Sequence, residues 1–176
     1  MGQSAGYWAG VGAGIALGLV VTVAVLKAVK KDGRIKCRYD ERQVLVQGRS
    51  FKYGFYTLLV CLMLDVFLGD LADPYVDHGV IVFLCLAVGV IVGAGYAIWN
   101  DGYFSLNEYP KRVVAAFLAI ALLNFVVFLR YIHEGELIEN GVVTLSAINL
   151  ICAVLLLVIV LIILARYACR KRQDEG

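Results

Sequence analysis

The sequence predicts an all-α fold, a polytopic membrane bundle of five transmembrane helices with its N-terminus outside and its C-terminus in the cytoplasm. Three observations lead there. Apolar residues make up 61% of the 176 and charged residues 17%, against roughly 45–50% and about 25% in soluble domains. Five apolar runs follow one another, at about 7–29, 55–72, 80–99, 112–131 and 142–166, close to the ~17–25 residues that cross a bilayer as a helix. Basic residues, Arg130 apart, gather at alternate connections and after the last run.

The first run resembles a signal peptide only in position. No Lys or Arg precedes Lys27, whereas a signal peptide carries a basic n-region and a shorter apolar core. It reads as a retained helix. The second run contains Asp65 and Asp70, and the third has no Asp, Glu, Lys or Arg. The fourth is interrupted by Asn124, and the fifth, rich in Leu, Ile and Val, holds Asn149. Backbone polar groups in hydrocarbon must be satisfied within the segment, so each run is a helix. A barrel would need strict alternation, which these runs lack. The whole of 1–176 then forms one transmembrane domain, whose largest polar piece is a basic cytoplasmic loop at 30–54.

Charge sets the orientation. Every Lys and Arg except Arg130 falls in 27–52, 111–112 or 166–172. The opposite connections carry Asp70, Asp73, Asp77, Glu134, Glu136 and Glu139. Basic loops stay cytoplasmic, and only five spans keep all of them on one face. Tyr7, Trp8, Tyr75, Trp99, Tyr103, Tyr109, Tyr131 and Tyr167 stand near the run ends, where interfacial aromatics gather. A faint internal repeat relates the second and third runs to the fourth and fifth. Asp77-His78-Gly79-Val80-Ile81 resembles Glu139-Asn140-Gly141-Val142-Val143.

Small and polar residues mark the candidate sites. Gly6, Gly10, Gly14 and Gly18 recur every four residues, and Gly89 and Gly93 repeat the spacing in the third run. Such stripes let helices approach closely, within one chain or between two copies. Asp65, Asn124 and Asn149 stand at similar expected depths. An intramembrane carboxylate costs at least about 2.5–3.5 kcal/mol, so Asp65 should be paired or protonated. The three groups form either an ion or proton site or a hydrogen-bonded fastening between helices. His78 and His133, among acidic residues, could hold a divalent cation, but their spacing is not diagnostic, and solvated acidic loops that obey the topology rule are the better reading. Asp40-Glu41-Arg42-Gln43 contains a capping pair, Asp40 with Gln43. Together with Arg49 and Lys52 it forms a cytoplasmic contact surface, for anionic lipid headgroups or for a cytosolic protein.

The Asp40-to-Gln43 run resembles a family of small multi-pass membrane proteins from Gram-positive, Firmicutes-type, often gut-dwelling bacteria. The resemblance is also carried by Gly48-to-Thr57, Asp101-to-Glu108, Glu139-to-Gly141 and Ser146-to-Ile151. It covers about 38–165, with the first run less typical. It implies a bacterial cytoplasmic membrane and no activity, with a leaning towards a signalling partner.

Nucleophile-elbow, phosphate-loop, paired-histidine and dinucleotide motifs are missing. The expectation is therefore a non-enzymatic interaction or regulatory membrane protein without cofactor or metal. Its partners would be the bilayer, a cytosolic protein or a second copy, and not nucleic acid. The alternative is a small transporter or channel subunit working through Asp65, Asn124 and Asn149.

Overall fold

The computed structural model describes residues 5–31, 37–72 and 74–174, with the side chains at 5–11, 13, 15, 69–72 and 174 outside the description. The chain is built from helices α1 (Ala5–Val29), α2 (Glu41–Ala72), α3 (His78–Trp99), α4 (Pro110–Glu134) and α5 (Ile148–Asp174). A two-stranded hairpin, β1 (Ile138–Glu139) and β2 (Val142–Val143), precedes α5. Among the described residues, four helices are long and apolar enough to cross a membrane, and Ala16–Val29 of α1 forms a shorter apolar helix.

Local chemistry sets the boundaries. Asp40 Oδ1 accepts from Gln43 N at 2.6 Å and Gln43 Oε1 accepts from Asp40 N at 3.2 Å, the reciprocal box expected from the sequence. This box starts α2 at Glu41, so 41–54 is helix and not the loop that hydropathy suggested. Hydropathy marks only the apolar part of a helix, whereas α2 has 32 residues and spans about 48 Å at ~1.5 Å per residue. Asp77 caps α3 by accepting from Gly79 N at 2.7 Å. Pro110 opens α4, and Gly135, at φ 74°, closes it in the left-handed conformation.

The expected fifth run also divides. Asn140 and Gly141, at φ 52° and 84°, make the left-handed two-residue turn that closes a hairpin. Residues 142–147 are therefore strand and 3-10 turn, and α5 begins only at Ile148. The proposed repeat is not mirrored locally, since Asp77 caps a helix where Glu139 lies in a strand.

The helices neighbour one another in the order α2–α3–α5–α4–α1. Ile98, Ile159 and Ile163 form a buried core between α3 and α5, packed against Val114 and Phe117 of α4. Antiparallel α2 and α3 meet on glycine. A Cβ on Gly54 would lie 2.9 Å from the Gly89 carbonyl oxygen, and one on Gly89 would lie 3.0 Å from that of Gly54. Ser50 Oγ donates to Gly93 O at 2.7 Å. Gly89 and Gly93 thus pack within this chain. The α1 stripe behaves differently: Gly14 and Gly18 have nothing within 4 Å of an added Cβ. Gly6 and Gly10 lie outside the described side chains.

Gly54→Leu should cost about 1–3 kcal/mol of stability, because backbone fills the space its side chain needs. Gly14→Leu should leave stability unchanged. Denaturation of both variants in detergent micelles tests the contrast, and equal losses would disprove it.

Candidate functional site: a fastened polar end

The three basic segments meet at one end of the bundle. Tyr109 N donates to Val29 O at 2.9 Å and Lys31 N donates to Asn107 O at 2.7 Å, which ties the end of α1 to the 100–109 loop. Leu106 N donates to Arg38 O at 2.8 Å. From α2, Arg42 donates to Asn100 O at 2.9 Å. Gln43 Nε2 donates to Asp101 O and Phe104 O at 3.2 and 3.0 Å. Gln47 reaches Gly102 O at 3.1 Å. From α5, Arg166 pairs with Asp101 at 2.8 Å.

Lys30 stands at the centre. Its side chain is fully buried, 2.5 Å from Glu108 Oε1. The ammonium also donates to Cys37 Sγ at 2.8 Å and Ser105 Oγ at 3.4 Å, giving its three protons three acceptors. Glu108 Oε2 in turn accepts from Ser105 N at 3.1 Å. Ser105 Oγ donates to Asn107 Oδ1 at 2.7 Å, and that oxygen also accepts from Arg38 N at 3.3 Å. Burial is the largest single influence on Lys30 and opposes its charge, but Cys37 and Glu108 outweigh it and hold the pKa above the ordinary 10.5. A lysine held protonated is a fastener and not a base. Nearby, burial first and then Glu108 and Tyr39 push the Tyr103 phenol up to about 12.

The sequence-derived polar trio does not assemble. Asn124 Nδ2 donates to Ile120 O at 2.9 Å within α4. Asn149 Nδ2 donates to Ser146 O at 3.4 Å, in the turn before α5. Asp65 faces the first residue of α3, with Oδ2 3.8 Å from His78 Nε2. It therefore stands at the acidic end and not at mid-depth, because α2 begins long before Phe55. Asp65 Oδ1 is buried without a hydrogen-bond partner among the described residues. Among the described residues no three His, Cys, Asp or Glu side chains converge on a metal position; Asp70 and Asp73 lie outside that description.

The residues expected at the contact surface have different surroundings. Asp40 and Gln43 cap α2 and clamp the loop, and Arg42 holds Asn100. Glu41, Arg49 and Lys52 are exposed. Arg49 and Lys52 flank Ser50, which packs opposite Gly93, so they sit a turn or more inside the end of α3. Lys30 and Glu108 were not singled out by sequence. The signal for Glu108 was its sign, an acid in a loop assigned to the basic face.

No family model matches the chain, and neither a curated protein nor a solved structure matches it.

Glu108→Gln should destabilise the protein by about 3–5 kcal/mol, the cost of stranding a buried ammonium. Replacing Lys30 and Glu108 together with Met and Leu should restore most of that loss, as read by unfolding in micelles. Alkali should act on the same end. Tyr103 ionises at about 10 when unfolded and at about 12 when folded, so stability falls as pH rises between those values. Lys30, raised when folded, contributes below 10.5 and loses that contribution as pH passes its folded value. Tyr103→Phe should flatten the first part of that fall, and an unaltered alkaline profile would refute the assignment.

Proposed function

We propose that the chain is a five-span protein of a bacterial cytoplasmic membrane, with its fastened basic end in the cytoplasm, serving as a non-catalytic contact or regulatory protein. The observation that carries this reading is the joining of 27–31, 37–52, 100–112 and Arg166 at one end, through Lys30–Glu108 and Arg166–Asp101. The acidic connections meet at the other end, where Val143 N donates to Tyr75 O at 2.8 Å. Two ends sorted by charge are what the positive-inside rule requires. With Val29 beside Tyr109 and α1 continuous from Ala5, a fifth span completes the parity.

A rigid, hydrogen-bonded end suits recognition. Its exposed charges, Arg38, Glu41, Lys111, Arg170 and Arg172, are presented on a backbone already ordered, which lowers the entropic cost of binding. Transport through Asp65, Asn124 and Asn149 lacks a common meeting point, and the buried lysine is held protonated and satisfied, which suits neither a nucleophile nor a base.

Alkaline phosphatase fused after Glu136 should be active and a fusion after Asn107 inactive; the reverse pattern ends the orientation. Capture of cytosolic proteins on the intact protein in nanodiscs should fall at least fivefold with Arg38→Glu combined with Lys111→Glu. Undiminished capture, or none with the unaltered protein, removes the contact reading.

A further inference from the structure

A cavity of about 530 Å³ opens between α2 and α3 beside the fastened end, within the ~300–1,000 Å³ typical of small-molecule sites. It exists because the residues behind it have almost no side chain. Gly89, Gly93 and Ala97 line its back, and Ile159 of α5 closes it. The same glycines that bring α2 against α3 leave this space beside the contact.

Its mouth is apolar and turned outward. Phe51 is 76% exposed and Phe55 56%, with Leu86 and Val90 across from them, also exposed. Most of the lining is apolar. At this level of a membrane-crossing pair, the medium that meets the mouth is hydrocarbon chain. The inner end differs in character, since Tyr39, Gln47 and Tyr103 line it. Gln47 is committed to Gly102 O, and Tyr39 interacts with Gln47 and Cys37. The Tyr103 hydroxyl has no hydrogen-bond partner among the described residues. Tyr103 lines the space with its ring against the Ile98–Ile159–Ile163 core, and its phenol is a hydrogen-bond donor at neutral pH.

We propose that this cavity binds one acyl chain of a glycerolipid from the leaflet at the basic end, with the lipid's ester carbonyl accepting a hydrogen bond from Tyr103. The chain lies along Phe55, Leu58 and Val90, and the ester reaches the polar end. The site depends on residence in a bilayer and is independent of any cytosolic partner.

Native mass spectrometry of the full chain, released from nanodiscs of palmitoyl-oleoyl phosphatidylglycerol, tests it. The unaltered protein should retain one phospholipid by mass. Val90→Trp, which fills the mouth, should reduce retention at least fivefold. Tyr103→Phe should reduce it about fivefold, the worth of one neutral hydrogen bond. Val66→Trp, on the 78% exposed outer face of α2, should leave it unchanged. If Val90→Trp fails to fold, Tyr103→Phe decides. Retention of none by the unaltered protein, retention of a free fatty acid instead, or equal retention by either folded cavity variant overturns the proposal.

Discussion

A single ammonium group, withdrawn from solvent between Cys37, Ser105 and Glu108, decides how the ends of three helices meet. Lys30 follows α1 directly, Cys37 precedes the cap of α2, and Glu108 lies two residues before α4. Burying that charge is tolerable only because each of its protons has an acceptor and the carboxylate is itself hydrogen-bonded. Everything bonded around it inherits that requirement. The bonds from Arg42, Gln43 and Gln47 fix the 100–109 loop against α2, and Arg166 fixes its start from α5. The loop is consequently part of the scaffold.

Between the two ends the fold rests on shape. Helices in hydrocarbon would have no hydrophobic drive between them, and close backbone approach and dispersion would then hold them. Gly54 against Gly89, and Ser50 against Gly93, provide that approach for α2 and α3. The Ile98–Ile159–Ile163 cluster provides the equivalent for α3 and α5 with branched side chains. The two solutions have different by-products. Interlocked isoleucines fill their space, whereas paired glycines bring backbones together and leave a gap beside the line of contact. The cavity lies where the glycine contact meets the isoleucine core, bounded by Gly93 on one side and Ile159 on the other.

Composition and hydropathy were sufficient for the helical class, and sign sorting was sufficient to gather the basic segments at one end. The Asp40–Gln43 box was legible because it is a local pattern with a fixed spacing. Three features were not legible. The start of α2 was hidden because its first turns are polar, so a hydropathy window sees only the later residues. The hairpin before α5 was signalled by Asn140-Gly141, but its flanking valines merged into the apolar run that follows. The depth of Asp65 depended on the register between α2 and α3, which Gly54 and Gly89 set through tertiary contact. Once that register is known, the expected trio separates: Asp65 moves to the rim, and both asparagines satisfy their amides on nearby carbonyls in their own segments.

That separation narrows where chemistry can reside. The described interiors of the spans contain polar groups that satisfy themselves locally, such as Thr22 donating to Gly18 O at 2.8 Å and Asn124 donating to Ile120 O. Neither forms a relay from one helix to another. Polar connections between helices are instead concentrated at the ends, and the denser set lies at the basic one. Asp65 is the partial exception, a buried carboxylate with one unpartnered oxygen beside a largely exposed histidine. It lies on α2, the terminal member of the helix order, and faces His78 at the start of α3, away from the α4–α5 contact. A relay through the bundle would have to cross α3 and α5 to reach Asn124, and α3 carries no Asp, Glu, Lys or Arg along its length. The described interior of this bundle is therefore held chiefly by packing, and its polar contacts between helices and loops are concentrated at the fastened end.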